Sequence, residues 1–265
     1  MPRISDKLLK EQLDSSGAVL IEGAKWCGKT LSSLQVAKSV IYLQDPDVGP
    51  GYLAMADTKP SLLLEGETPL LLDEWQMAPV LWDAVRFAVD KRMLTGQFIL
   101  TGSVTPNDKL LSHSGTGRIA RLRMRPMSLF ESGESNGTVS LRSLFEGNHN
   151  IGAKSSLTIE QISNAICRGG WPMAVQSEIS KTRIAVNYVE SVINADVQRV
   201  VGFEKNPEII RLLLQSLARN ISTMASAQTI MDDIKANHSI ISDKTLNIYL
   251  NILRQIFVIE DVSAW

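Results

Sequence analysis

Gly23-Ala24-Lys25-Trp26-Cys27-Gly28-Lys29-Thr30 satisfies every position of the pattern G-x-x-x-x-G-K-[ST]. The residue types explain the chemistry expected of it. Glycines let the backbone curl until successive N–H groups face a triphosphate, and the following helix turns its positive end toward the same anion. Lys29 is then set to reach the β- and γ-phosphates, and Thr30 to place its hydroxyl on Mg²⁺. The candidate nucleotide-binding stretch runs from Gly23 through Leu31. Cys27 has two readings. A thiol beside a helix amino terminus and Lys29 has a route to a lowered pKa and to oxidation; the plainer reading is a small loop residue.

A second chemical pair follows at Pro69-Leu70-Leu71-Leu72-Asp73-Glu74, an apolar run that stops at two acids. Asp73 is expected to support Mg²⁺ through water, and Glu74 to orient and polarise the water that attacks the γ-phosphate. A buried strand ending in a solvated acidic turn would look the same in isolation. The upstream phosphate loop selects the functional reading, because Mg-dependent hydrolysis needs both parts. Phosphate loops also serve small-molecule kinases, but the paired acids favour an ATPase.

These side chains need elements to carry them. Ala18-Val19-Leu20-Ile21 reads as a buried strand feeding the loop, and Leu31 to Lys38 continues as a helix. Residues 5 to 15 have helical spacing, with Leu8, Leu9 and Leu13 on one side and Ser5 as the expected N-cap. Residues 39–43 read as a second strand, ended by turn chemistry over 44–51 whose loop faces the nucleotide. Residues 52–66 carry a weaker helical signal, and Val80 to Lys91 a clearer one with Leu81, Val85, Ala88 and Val89 inward. Phe98-Ile99-Leu100-Thr101-Gly102-Ser103 is a further strand with polar residues at its exit. Ser103 is the first choice for a γ-phosphate sensor and Thr101 the second, against ordinary turn chemistry.

Between Arg118 and Arg125 four arginines fall in eight residues, three of them alternating with apolar partners. Period two predicts a strand with Arg121, Arg123 and Arg125 on one face. Such a stripe suits nucleic-acid phosphates or a neighbour's ATP, with Arg118 as the favoured finger and Arg121 as the alternative. The structural alternative is ion pairing to acids on nearby helices. Pro126 predicts the start of a short helix.

A Gly-, Ser- and Asn-rich stretch then marks a boundary, giving a nucleotide-binding domain over 1–135, a linker over 136–156 and a mainly helical domain over 157–265. Helices are predicted over 157–167, 179–200 and 207–219, with Arg168-Gly169-Gly170-Trp171-Pro172 closing the first. Residues 226–234, a turn over 239–242, a helix over 243–254 and a strand at Phe257-Val258-Ile259 read as a winged helix. Its exposed face would carry Lys244, Thr245, Asn247, Asn251 and Arg254, polar but barely basic, so protein contact or plain domain packing is favoured over base reading. His113, His149 and His238 have no metal-ligand spacing.

Composition adds bounds. Apolar residues make up 44% and charged residues 21%, and the formal net charge of -1 argues against bulk attraction to DNA or membranes. There is no apolar run long enough to span a bilayer and no signal-peptide core at the amino terminus, so the expected compartment is the cytoplasm. Two cysteines, Cys27 and Cys167, in separate predicted domains suggest neither a disulfide framework nor a zinc site.

The Glu22 to Thr30 loop, Leu72-Asp73-Glu74-Trp75-Gln76, Leu100-Thr101-Gly102-Ser103 and the Gly117-Arg118 step resemble the AAA-type ATP-binding core of prokaryotic ATPases. In that group a domain of unknown function follows. The Arg168 to Pro172 turn and the Ser242-Asp243-Lys244-Thr245 helix start are similar to the beginning of that second domain. The resemblance implies an α/β phosphate-loop core with a parallel sheet, followed by a helical domain with a winged helix. Members usually run on into a region resembling the restriction-endonuclease fold. This chain stops at Trp265 soon after an apolar run, which reads as truncation, and no nuclease activity is assigned to it.

Two functions follow as expectations. The first is Mg-dependent ATP binding and hydrolysis that moves the second domain, with Lys29 and Thr30 on phosphate and metal, Asp73 on the metal, Glu74 on water, Ser103 as sensor and Arg118 or Arg121 acting across a homo-oligomer interface. The second is a nucleotide-gated module with little turnover whose winged helix contacts DNA or protein. Neither involves a membrane.

Overall fold

The computed structural model describes residues 2–103, 114–148, 152–177, 181–200, 206–236 and 241–262. Strands β1 (Ala18–Glu22), β3 (Leu70–Asp73) and β4 (Phe98–Gly102) are buried along their whole length. Continuous apolar runs are what a parallel strand needs when helices cover both of its faces. β2 (Ser39–Tyr42) and β5 (Ile119–Arg123) lie at the two edges and are more open. The order is β2-β3-β4-β1-β5, with every neighbouring pair parallel.

The alternation of side chains divides the core in two. On one face Ala18, Leu20, Leu70, Leu72, Phe98 and Leu100 pack with Leu81, Trp82, Val85 and Val89 of helix α4 (Val80–Arg92). On the other, Val19, Ile21, Leu71, Ile99 and Leu122 pack with Leu9 and Leu13 of helix α1 (Ile4–Ser15). Helix α2 (Lys29–Leu34) follows the loop after β1, and helix α3 (Gly49–Thr58) begins inside the stretch expected to be turn.

Some local expectations are corrected. Ser5 is not the N-cap: Arg3 takes that position, its N–H donating to Asp6 Oδ2 at 2.8 Å, and Ser5 lies inside α1. Leu8 is exposed, because Leu9 and Leu13 alone face the sheet. No helix starts at Pro126. A single turn forms instead, closed by Ser132 N–H on the Ser128 carbonyl at 3.0 Å.

The chain divides into two compact units, Met1–Ile184 and Ala185–Trp265. The first also holds helices α5 (Leu141–Phe145), α6 (Ile159–Arg168) and α7 (Pro172–Gln176). Thr158 and Gln161 cap α6 reciprocally at 3.2 and 2.8 Å, which satisfies two N–H groups the helix would otherwise leave open. Helix α8 (Lys181–Ser191) continues through a π-helical turn over Val192–Asp196 into α9 (Val197–Arg199).

The second unit contains α10 (Pro207–Arg219), α11 (Ala227–Ala236) and α12 (Asp243–Gln255). Leu246, Tyr249, Leu250 and Leu253 of α12 point inward, as its spacing requires. Residues 257–259 do not form the expected strand. Phe257 adopts φ 59°, its N–H reaches the Arg254 carbonyl at 3.0 Å, and Val258 N–H reaches Leu253 at 2.9 Å. This is a helix-terminating motif that uses up the backbone groups a ladder would need. The wing is therefore missing among the described residues, leaving a pair of helices, α11 and α12. His113, His149 and His238 lie outside the described residues, as do residues 239 and 240 of the turn expected over 239–242.

Candidate active site

The phosphate loop leaves the carboxyl end of β1 and closes on α2. A Cβ on Gly23 would lie 2.0 Å from the Met124 carbonyl oxygen, so only glycine fits where the loop passes the chain leaving β5. Gly28 has φ 106°, a conformation that costs glycine little, and it caps α2. Lys29 Nζ donates to the carbonyls of Gly23 and Ala24, each at 2.9 Å. Its side chain is buried, and that burial lowers its pKa against the opposing pull of Glu74 and Asp73. Trp26, at φ 63°, and Leu31 are exposed on the loop's rim.

Cys27 takes the plainer of its two readings. It is fully buried, its thiol reaches the Met124 carbonyl at 3.4 Å, and burial pushes its pKa up, outweighing Lys29 and Arg3. It lacks the exposed thiolate character that oxidation needs.

The sheet order brings the rest together. Because β4 lies between β1 and β3, residues at its carboxyl end stand between the loop and the two acids. Thr30 Oγ1 donates to Asp73 Oδ1 at 2.7 Å, and Thr101 Oγ1 donates to the same oxygen at 2.7 Å. The other Asp73 oxygen accepts from Gln44 Nε2 at 3.3 Å, which brings the turn after β2 to the site. Glu74 has φ 56° and ψ 46°, a left-handed conformation that is uncommon for a residue with a Cβ and frequent at functional turns. Its N–H donates to Thr101 Oγ1 at 3.2 Å. Its Oε2 accepts from Ser103 Oγ at 3.2 Å and from Gln76 Nε2.

Thr30, half-buried, and Asp73, buried, are a hard oxygen pair, which suits Mg²⁺. Among the described residues no three His, Cys, Asp or Glu side chains gather as a metal site. A cation here would complete its shell with phosphate and water.

Lys29, Thr30, Asp73, Glu74 and Ser103 thus converge. Arg118 does not. It precedes β5 at the opposite end of the sheet, where its carbonyl accepts from Ala18 N–H at 3.1 Å. With β5 in register beside β1, about a full strand length, ~16 Å for five residues, separates it from the loop. Its guanidinium donates to Asp90 Oδ1 at 2.8 Å and to the Thr116 carbonyl at 3.2 Å. Arg121 lies nearer the loop, 3.7 Å from Glu22 and over the Trp82 ring. Arg123 makes a matching 3.7 Å pair with Glu22.

Gln76, Gln44 and Arg3 were not singled out by sequence. Gln76 is two residues from Glu74 in sequence, but its residue type alone implies no role there. Arg3 donates to the Cys27 carbonyl from far outside the motif. The Arg168 to Pro172 turn also reaches the loop: Pro172 Cγ lies 3.7 Å from where a Cβ on Gly28 would stand.

Comparison with known proteins agrees with this architecture. Residues 15–132 match the model of an AAA domain, and residues 159–265 match a domain of unknown function, DUF8612. Uncharacterized proteins of Mycobacterium tuberculosis and Mycobacterium bovis are each 30% identical over 130 residues, 48% of this chain. The match spans 29% of either relative's length. A Walker-type ATPase of Pyrococcus abyssi is similar in fold, with a TM-score of 0.55 and 16% identity, covering 95% of this chain and 88% of that one. The fold is of the α/β phosphate-loop type, with a parallel sheet and helices on both faces. No helix among the described residues is long and apolar enough to cross a membrane.

Proposed function

We propose that this chain binds ATP with Mg²⁺ and hydrolyses it, and that the energy of the cycle moves its carboxyl-terminal part. The observation that carries the proposal is the 2.7 Å contact between Thr30 Oγ1 and Asp73 Oδ1. Two motifs far apart in sequence meet there with a metal-type oxygen pair, while Lys29 and Glu74 stand beside them. The match of residues 15–132 to an AAA domain supports the same reading.

Each residue has a role in this mechanism. The loop amides of 23–30 bind and orient the triphosphate, and Lys29 reaches its outer phosphates. Thr30 and Asp73 hold the Mg²⁺ site, Asp73 being fixed by Thr101 and Gln44. Held by these residues, Mg²⁺ would supply positive charge that offsets the charge developing on the phosphates. Glu74 orients the attacking water and accepts its proton, and Ser103 reports on the γ-phosphate from the Glu74 side. Residues 1–135 carry all of this chemistry, and 157–265 hold the responding part.

Steady-state phosphate release with and without Mg²⁺ tests the proposal. Glu74→Gln should bind ATP and barely hydrolyse it, a loss of about 10²- to 10⁴-fold if Glu74 is the base. Equal ATP binding by wild type and Lys29→Ala would sink the site assignment.

A second reading is a nucleotide-gated module with slow turnover. The engagement of Glu74 Oε2 by both Ser103 and Gln76 favours it, since two donors already occupy the oxygen that would otherwise hold an attacking water. Its partner would be a protein rather than DNA. On the exposed face of α12, Arg254 is paired with Asp261 at 2.6 Å, which leaves little positive charge for phosphates. Steady-state turnover separates the two readings, sustained phosphate release supporting the first, and DNA binding that falls steeply with salt would contradict the protein partner of the second.

A further inference from the structure

The first turn of α1 grips the phosphate loop from behind. Arg3 spreads its guanidinium over three partners: Nη1 to the Cys27 carbonyl at 2.7 Å, Nη2 to the Arg125 carbonyl at 2.9 Å, and Nε to Glu131 Oε1 at 2.9 Å. The side chains of Arg3 and Glu131 are only 7% and 8% exposed, although Arg3 lies at the edge of the chain. Glu131 is held in turn by the N–H groups of Ile4 and Ser128 at 2.9 and 2.8 Å. Burial alone would raise its pKa, but those N–H groups and Arg3 outweigh it and keep the carboxyl below its ordinary range, an ionised partner for Arg3. Three residues on, Asp6 joins α1 to α2, accepting from Ser32 Oγ at 2.7 Å.

We infer that Arg3 is a positioning residue for the phosphate loop, setting the direction of the Cys27–Gly28 peptide so that the Gly28 N–H faces the nucleotide phosphates. The reason is geometric. A trans peptide is planar, with its C=O and N–H pointing in opposite directions, so a donor fixed on the Cys27 carbonyl also aims the Gly28 N–H. Hydrogen bonding to a carbonyl polarises the peptide and strengthens its N–H as a donor. Arg3 Nη1 also stands 3.2 Å from where a Cβ on Gly28 would lie, close enough to limit any reorientation of that residue. The planar fork is needed because the three bonds leave from three separate nitrogens, a spread that the single nitrogen of an ammonium does not span.

The inference rests on the nucleotide-binding function proposed above, and the experiment separates the two. ATP binding and steady-state hydrolysis are measured for wild type, Lys29→Ala, Arg3→Ala and Arg3→Lys, each with a thermal melt. A preset cradle holds phosphate equally in ground and transition states, so its loss raises KM and leaves kcat largely intact. Arg3→Ala should raise the KM for ATP about 10- to 100-fold, the scale of one charge-assisted hydrogen bond. Arg3→Lys, which keeps the charge without the fork, should fall between it and wild type. Arg3→Lys alone carries the test if Arg3→Ala melts below the assay temperature.

A KM within two-fold of wild type in both Arg3 variants, with binding abolished in Lys29→Ala, would overturn the role of Arg3 and leave the nucleotide site standing. A lower kcat at unchanged KM would also overturn it, since that is the signature of a brace whose loss unfolds part of the sample. Absence of ATP binding by the wild type would overturn both ideas.

Discussion

Thr101 Oγ1 donates to Asp73 Oδ1 at 2.7 Å across neighbouring strands, and accepts the Glu74 N–H at 3.2 Å. One buried hydroxyl therefore fixes the carboxylate of the first acid and the backbone of the second. Thr101→Val keeps the shape and removes both bonds. It should cost about 1–3 kcal/mol of stability, because a buried N–H and a carboxylate oxygen each lose a partner. It should also lower ATP turnover, while Thr101→Ser restores both. Urea melts run beside a phosphate-release assay check this, and full activity in Thr101→Val would contradict it.

Lys29 gives a pH dependence with a definite sign. Its pKa in the folded protein is lowered from the ordinary 10.5 by burial. Triphosphate is held by the protonated form, so ATP affinity should fall as pH rises through that lowered value, earlier than for an exposed lysine. Titration of ATP binding from neutral to alkaline pH measures it. A decline that begins only at the ordinary lysine value would mean that burial does not govern this group.

The two cysteines should differ in reactivity. Cys167 is exposed, whereas Cys27 is buried with its pKa raised. A thiol reagent near neutral pH should modify one equivalent quickly and the second only on unfolding. Mass spectrometry of the labelled peptides identifies the order, and fast labelling of Cys27 in native protein would show that the loop opens.

An active site shared between protomers requires turnover per protomer to rise with protein concentration, and the rise to be lost on removing the arginine that crosses. Arg118→Ala and Arg121→Ala examine the two candidates in turn. Arg118 faces away from its own loop and is tied to Asp90, so its use demands that a neighbour's loop approach the far end of the sheet. Constant turnover across concentration in the wild type would leave neither arginine such a role.

Much of the site is legible along the chain because its parts are local. The loop from Gly23 to Thr30 and the acids after Leu70–Leu72 are contiguous, and each is announced by an apolar strand that must be buried. The failures have a common cause. Phe257-Val258-Ile259 has strand composition, but a strand exists only with a partner, and here a helix terminus takes up the backbone instead. Ser5 had the right side chain for a cap, yet Asp6 does that work from inside the helix.

Which residues are able to bind phosphate and metal follows from the chain alone, since peptide geometry and side-chain chemistry at fixed spacing require nothing distant. Tertiary structure decided which of them meet. Insertion of β4 between β1 and β3 delivers Thr101 and Ser103 to the acids, parallel pairing sends Arg118 to the far end of the sheet, and packing of α1 brings Arg3 to the Cys27 carbonyl. Strand order and helix docking come from burying two apolar faces at once, a property of the whole chain that no short stretch of it contains.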